Sequence, residues 1–165
     1  MASSCLPSSN ALNELLRSPL TAGPQLDEEK ELLDEFLLQH AQRYDFSHRE
    51  AGAAFGLTFQ LLVQQRFLSR PNWEKLQPYS DCRLRVLQCM RVLMRDQTHR
   101  TCFVELGAVG SLVALCIELA GEHFSSSAGG EFSSEMLVET LSILKRFAAL
   151  EELGRAGCMD VNLVD

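Results

Sequence analysis

Apolar residues recur at helical spacing along most of this chain. In DEEKELLDEFLLQHAQRY, residues 27–44, Leu32, Leu33, Phe36 and Leu37 share one face, and the acids of the first turn suit the positive end of a helix dipole. Ser47 and Glu50 match a capping box, in which each side chain satisfies a backbone N–H at a helix start. They predict a helix over 50–67, with Phe55, Phe59, Leu62 and Val63 on one side, that ends before Pro71. Residues 69–80 read as a connector. Ser80 or Asp81 is placed to cap the next helix, CRLRVLQCMRVLMRD. Its apolar positions (Leu84, Val86, Leu87, Cys89, Met90, Leu93 and Met94) form a face too wide for a surface helix, so burial on two sides is expected. Thr98 is expected to cap a short helix, HRTCFVEL, which Gly107 ends in a left-handed conformation. AVGSLVALCIELA, with Ser111 and Glu118 its polar members, reads as nearly all core. EMLVETLSILKRFAA follows, with Leu137, Leu141, Leu144 and Ala148 on one stripe and Met136, Ile143 and Phe147 beside it. LEELGRAG then makes a short helix or turn that ends at Gly157.

The intervening stretches lack this periodicity. Residues 1–26 contain Pro7, Pro19, Gly23 and Pro24, which forbid a long helix, so a flexible segment with one or two turns in ALNELLR is expected. Residues 121–134, GEHFSSSAGGEFSS, read as a flexible loop. β-branched residues are scattered, and no two runs are joined by a hairpin signal. The expected class is all-α, with a flexible segment over 1–26 and one helical domain over 27–165.

Composition adds little to the fold but narrows the chemistry. Of 165 residues, 46% are hydrophobic and 22% charged, which suits one globular domain able to bury a core. The longest apolar run, Leu112 to Ile117, is far short of the ~20 residues that a membrane-spanning helix needs. The N-terminus has no basic region followed by an apolar run, so no secretory signal is expected. The expected setting is a reducing, cytoplasmic one without membrane partners. None of the six cysteines forms a C-x-x-C pair or a zinc pattern. Cys89, Cys102 and Cys116 read as small buried hydrophobes, and His99 is the one basic candidate close in sequence to Cys102. The histidines (His40, His48, His99 and His123) are dispersed, with neither ligand nor triad spacing. No catalytic residue, metal or cofactor is expected.

Charge is unevenly spread. Residues 1–65 carry 4 basic and 9 acidic side chains, residues 66–100 carry 8 and 3, and residues 101–165 carry 3 and 10. A basic middle between acidic ends is either a docking surface for an acidic partner or a helix face that pairs with its own acidic neighbours. Trp73 and Tyr79 lie near it, which raises nucleic-acid binding as a further reading. The acidic chain as a whole and the lack of a groove-reading motif disfavour that reading.

Two stretches match each other, one from Leu84 and one from Met136. Each reads as a long amphipathic helix, a short helix, a glycine and the start of an apolar helix, with Gly107 and Gly157 as the paired glycines. Without the 121–134 loop the period falls to the low forties, which is similar to armadillo repeats. In such arrays each unit covers the bare apolar face of its neighbour. RAGCMDVNLVD then reads as the start of an incomplete further unit. A truncated product is one expectation, and a short stand-alone protein with an improvised cap is the other.

FQLLVQQRFLSRPNW, LRVLQCMRVLMRD, LGAVGSL and LVETLSILKRFAAL together resemble the NIMA-related protein kinases, in the branch that carries armadillo repeats ahead of its kinase domain. The likeness covers roughly residues 58–150. It implies a regulatory or protein-docking arm, and a setting in cell-cycle and cilium biology, including the nucleus or cilium besides the cytoplasm. It implies no activity for this chain, which lacks a Gly-rich phosphate loop, a strand lysine, an HRD-type loop and a DFG site. Armadillo arrays bind extended peptides in a groove lined by each third helix. Aligned with that pattern, Gln88 and Ser142 stand at the usual tryptophan position, and Val92 and Arg146 at the usual asparagine position. Arg91, Arg95, Lys145 and Arg146 lie alongside and suit an acidic or phosphorylated segment, which guanidinium groups hold bidentately. Self-association through an exposed C-terminal repeat face is also expected. A small independent adaptor remains the alternative.

Overall fold

A computed structural model describes residues 7–21, 24–40, 50–124 and 132–158. All regular structure among the described residues is helical: α1 (Ser9–Arg17), α2 (Pro24–His40), α3 (Glu50–Leu61), α4 (Arg70–Lys75), α5 (Ser80–Leu93), α6 (Gln97–Glu105), α7 (Ala108–His123) and α8 (Ser133–Cys158). A π-helical turn over Leu62–Phe67 continues α3.

α5 is the hub. It packs against α2 and α8, and also meets α3 and the π turn. Cys82, Leu84, Val86, Leu87, Cys89, Met90, Val92 and Leu93 are all buried, so the two-sided burial read from its wide apolar face holds. On α2, Leu32, Leu33 and Phe36 are buried as the spacing predicts, with Leu37 half-buried. Phe36 stacks on Phe59 at 4.1 Å between ring centroids, which joins α2 to α3.

In the N-terminal stretch, ALNELLR, where one or two turns are expected, lies within α1. Ser8 caps α1 by accepting from the Ala11 N–H at 3.3 Å, and Leu12 and Leu20 are buried. Composition could not supply the reason, which is a long-range one: Arg66, from the π turn, donates to the carbonyls of Leu15, Ser18 and Pro19. These include orphan acceptors at the end of α1.

The predicted helix over 50–67 is present but changes pitch. The Leu68 N–H bonds back to the Val63 carbonyl at 3.1 Å, a π-type spacing. This brings Leu62, Val63, Arg66 and Phe67 inward together. Ser47, the predicted cap, lies outside the described residues. The connector 69–80 contains α4, with Pro71 in its first turn, where a missing N–H costs nothing.

Two caps differ by residue. Tyr79 is the N-cap of α5 and makes no side-chain cap bond; Asp81 accepts from the Cys82 N–H at 2.9 Å and from Lys30 at 2.6 Å. Asp96, not Thr98, caps α6: it accepts from the Thr98 N–H at 2.7 Å. Gly107 has φ 69°, the left-handed conformation expected of it.

The C-terminal helices depart furthest from the sequence pattern. On α7 only Ala108, Leu112, Leu115 and Leu119 are buried, whereas Val113 is 41% and Ile117 68% exposed. The buried stripe of α8 is Met136, Thr140, Ile143 and Phe147; Leu141 is half exposed, and Ala148 faces solvent. Thr140 fits there because its hydroxyl donates to the Met136 carbonyl at 2.8 Å. α8 runs unbroken through Gly157, where the repeat reading required a short helix and a stop. LEELGRAG is rich in strong helix formers, and they carry the helix past Gly154 and Gly157. The break at Gly107 thus has no counterpart in α8. Residues 159–165, the rest of the expected further unit, lie outside the described residues.

Candidate functional site

Most basic side chains of the stretch 66–100 are engaged by groups of the chain itself, although only Arg66 and Arg83 are buried. Arg66 and Glu29 are both buried, and Arg66 Nε donates to Glu29 Oε1 at 2.6 Å while Nη2 donates to Oε2. Arg85 pairs with Asp34, and Arg70 with Glu74 at 3.3 Å. Lys75 donates to the Leu20 carbonyl at 3.3 Å, and Arg100 to that of Met94 at 2.7 Å. Arg83 donates to the Trp73 carbonyl and lies 4.6 Å from the centre of the Trp73 ring. Burial pulls the Arg83 pKa down, against the attraction of Glu122, Glu118 and Glu74. Of the two readings of the basic middle, internal pairing describes these side chains.

The groove candidates lie at the junction of α5 and α8. Gln88 and Arg91 are half-buried on α5, three residues apart, and Arg95 is half-buried in the turn that follows the helix. Ser142 is half-buried on α8, and Lys145 and Arg146 are exposed there. Arg91 Nε donates to Glu139 of α8. The Arg95 pKa is lowered first by burial and then by repulsion from Arg91 and Arg146. Val92 does not belong with them. It is fully buried, because its position on α5 faces the core rather than a groove.

The two fully buried cysteines are held as thiols. Burial pushes Cys82 up to about 12 and Cys89 well above the ordinary value, which leaves neither as a thiolate near neutrality. Cys102 and Cys116 are half-buried rather than fully interior, and burial raises Cys102 too. His99 is buried and turned to Gln60: Nδ1 lies 2.8 Å from Gln60 Oε1, and Gln60 Nε2 donates to the His99 carbonyl at 3.1 Å. Burial lowers the His99 pKa. Among the described residues no group of His, Cys, Asp and Glu is arranged to hold a metal ion. Among them, too, no single helix is long and apolar enough to cross a membrane.

Sequence reasoning missed a pocket of about 470 Å³ between the π turn, α4 and the α6–α7 corner. Trp73, Phe103, Leu106, Leu112 and Leu115 supply its apolar lining, with Glu74 and Glu118 also on it. Gln64 lines it as well, and Gln64 Oε1 is buried without a hydrogen-bond partner among the described residues. The one sequence signal was Trp73, the chain's only tryptophan, set in a stretch read as a connector.

Comparison with known proteins gives a distant likeness. The chain is 28% identical over 120 residues, 73% of its length, to the serine/threonine-protein kinase Nek10 of Homo sapiens. The same values hold for Nek10 of Mus musculus. The matched residues span 10% of the length of these curated relatives. No family model and no solved structure matches the chain.

Proposed function

We propose that this chain is a non-catalytic protein-interaction module of the armadillo type, comparable to a regulatory arm of a NIMA-related kinase. Its ligand is an acidic or phosphorylated segment of a partner protein, held by Arg91, Arg95, Lys145 and Arg146 with Gln88 and Ser142 beside them. The observation that carries this reading is the gathering of Arg91 on α5 and Arg95 just beyond it beside the exposed Lys145 and Arg146 of α8, where α5 packs against α8 and Arg91 reaches Glu139. Cations crowded at a half-buried site gain from a bound anion, and guanidinium forks suit carboxylate and phosphate geometry. The likeness to Nek10 supports the kinship, and the all-helical fold is compatible with the module type. The chain works in the cytoplasm on this reading, with the nucleus and cilium as the settings that kinship adds.

Self-association is favoured by a separate observation. Val113 and Ile117 on α7, and Val138 and Leu141 on α8, are large apolar side chains at the surface of two helices that pack together. Such a surface gains from a covering partner.

The test of the arginine reading is a nuclear magnetic resonance titration of the whole chain with a peptide of alternating glutamate and phosphoserine. Shifts concentrated at Gln88, Arg91, Arg95, Ser142, Lys145 and Arg146 are expected. Shifts centred elsewhere, or none, would refute it.

A further inference from the structure

We propose that the pocket between the π turn, α4 and the α6–α7 corner is a second docking site, for a partner segment that carries an apolar side chain followed by a lysine or arginine. It goes beyond the arginine reading, involves none of the arginine-cluster residues, and calls for a ligand of opposite charge.

Four observations converge. The volume, about 470 Å³, falls within the range of ~300–1,000 Å³ typical of ligand sites. The lining is apolar, built from Trp73, Phe103, Leu106, Leu112 and Leu115, and Leu106 is 44% exposed, so the site opens to solvent. The carboxylates are unequal: Glu74 is engaged by Arg70, while Glu118 is exposed and, though it attracts the buried Arg83, forms no salt bridge among the described residues. That leaves a negative charge beside an apolar hollow. Last, Gln64 Oε1 is a buried acceptor with no donor among the described residues. An unsatisfied buried acceptor is costly, and a guest that brings an N–H removes the cost.

The π turn links these features. It carries Gln64 to the pocket wall while its neighbours Val63 and Arg66 stay in the core. A regular helix would rotate that register, and π turns recur at functional sites for this reason. The apolar side chain of the guest fills the hollow beside Trp73 and Leu112. Its cation meets Glu118 at the rim.

Trp73 is the chain's only tryptophan and lines the pocket, so its emission reports occupancy directly. The experiment titrates the full chain with a capped peptide of two leucines followed by two lysines. A saturable change in Trp73 emission is expected. Glu118→Lys, an exposed position, should weaken binding about fivefold or more, and should let a peptide of two leucines and two glutamates bind instead. Gln64→Leu should weaken binding while raising the melting temperature. The proposal is overturned by any of three results: no emission change, an equal change with serines in place of the leucines, or indifference to Glu118→Lys. No change together with a Trp73 already shielded from acrylamide also overturns it, since the chain's own residues then cover the pocket.

Discussion

Two regions of the molecule use their side chains in opposite ways. Around α1, α2, the π turn and α5, charged residues that look like surface are structural. Glu29 and Arg66 are buried together, and Arg66 also holds the end of α1. Around α7 and α8, residues that look like core are at the surface, with Ile117 68% and Val138 60% exposed. Charge and hydropathy along a chain therefore do not reveal by themselves which way a side chain faces. In the first region, the acidic face of α2 found cations within its own fold. In the second, two apolar helices found each other and left their outer faces uncovered.

The largest effect expected from breaking this contrast is at the buried pair. Glu29→Ala leaves Arg66 buried without its carboxylate and should cost roughly 3–5 kcal/mol, measured by urea unfolding. Glu29→Leu combined with Arg66→Met should recover only part of that loss, because the buried charges leave together but the Leu15, Ser18 and Pro19 carbonyls lose their donor. Next come the glycines. Gly107→Ala should cost about 1–2 kcal/mol, since φ 69° strains any side chain there even though the space is open. Gly110→Ala, inside α7 with nothing near its added carbon, should instead gain about 0.5–1 kcal/mol. A mild pH dependence is expected from His99. Burial holds its pKa below the ordinary value, so the unfolded chain takes up the proton first. Stability is then full above about pH 6.5 and falls as pH drops through the lower folded value. Thermal melts from pH 7.5 to 5 should show that fall, and His99→Gln should flatten it. The smallest change is at the open face: Ile117→Lys should alter stability by less than about 0.5 kcal/mol, yet dissociate any self-associated form seen by light scattering.

Much of the fold was legible in sequence because helical periodicity is local. The buried sets of α2 and α3, and the two-sided burial of α5, follow from spacing alone. The left-handed Gly107 follows from its place between two apolar runs. What was illegible depends on distant residues. Nothing near Arg66 in sequence announces Glu29, which is 37 positions away. The orientation of α8 depends on what it meets on α5 and α7, so the stripe chosen from Leu137, Leu141, Leu144 and Ala148 came out rotated. The groove candidates were chosen by pattern, and one position of that pattern, Val92, is claimed by the core. The pocket was unreadable because it joins a π turn, which has no sequence signature, to a helix corner about 40 residues further on.

The most direct test compares arginines from the two regions as ligands for one probe. Fluorescence anisotropy would follow a labelled peptide of alternating glutamate and phosphoserine binding to the native chain, to Arg95→Glu/Arg146→Glu, and to Arg70→Glu. Arg91 is left in place because it holds Glu139, and reversing it would disturb the α5–α8 junction. The account predicts saturable binding to the native chain, near-complete loss in the double variant, and unchanged affinity in Arg70→Glu. Equal affinity in all three would contradict it, and would mean that the cations between α5 and α8 are no more a site than an exposed arginine elsewhere, such as Arg70.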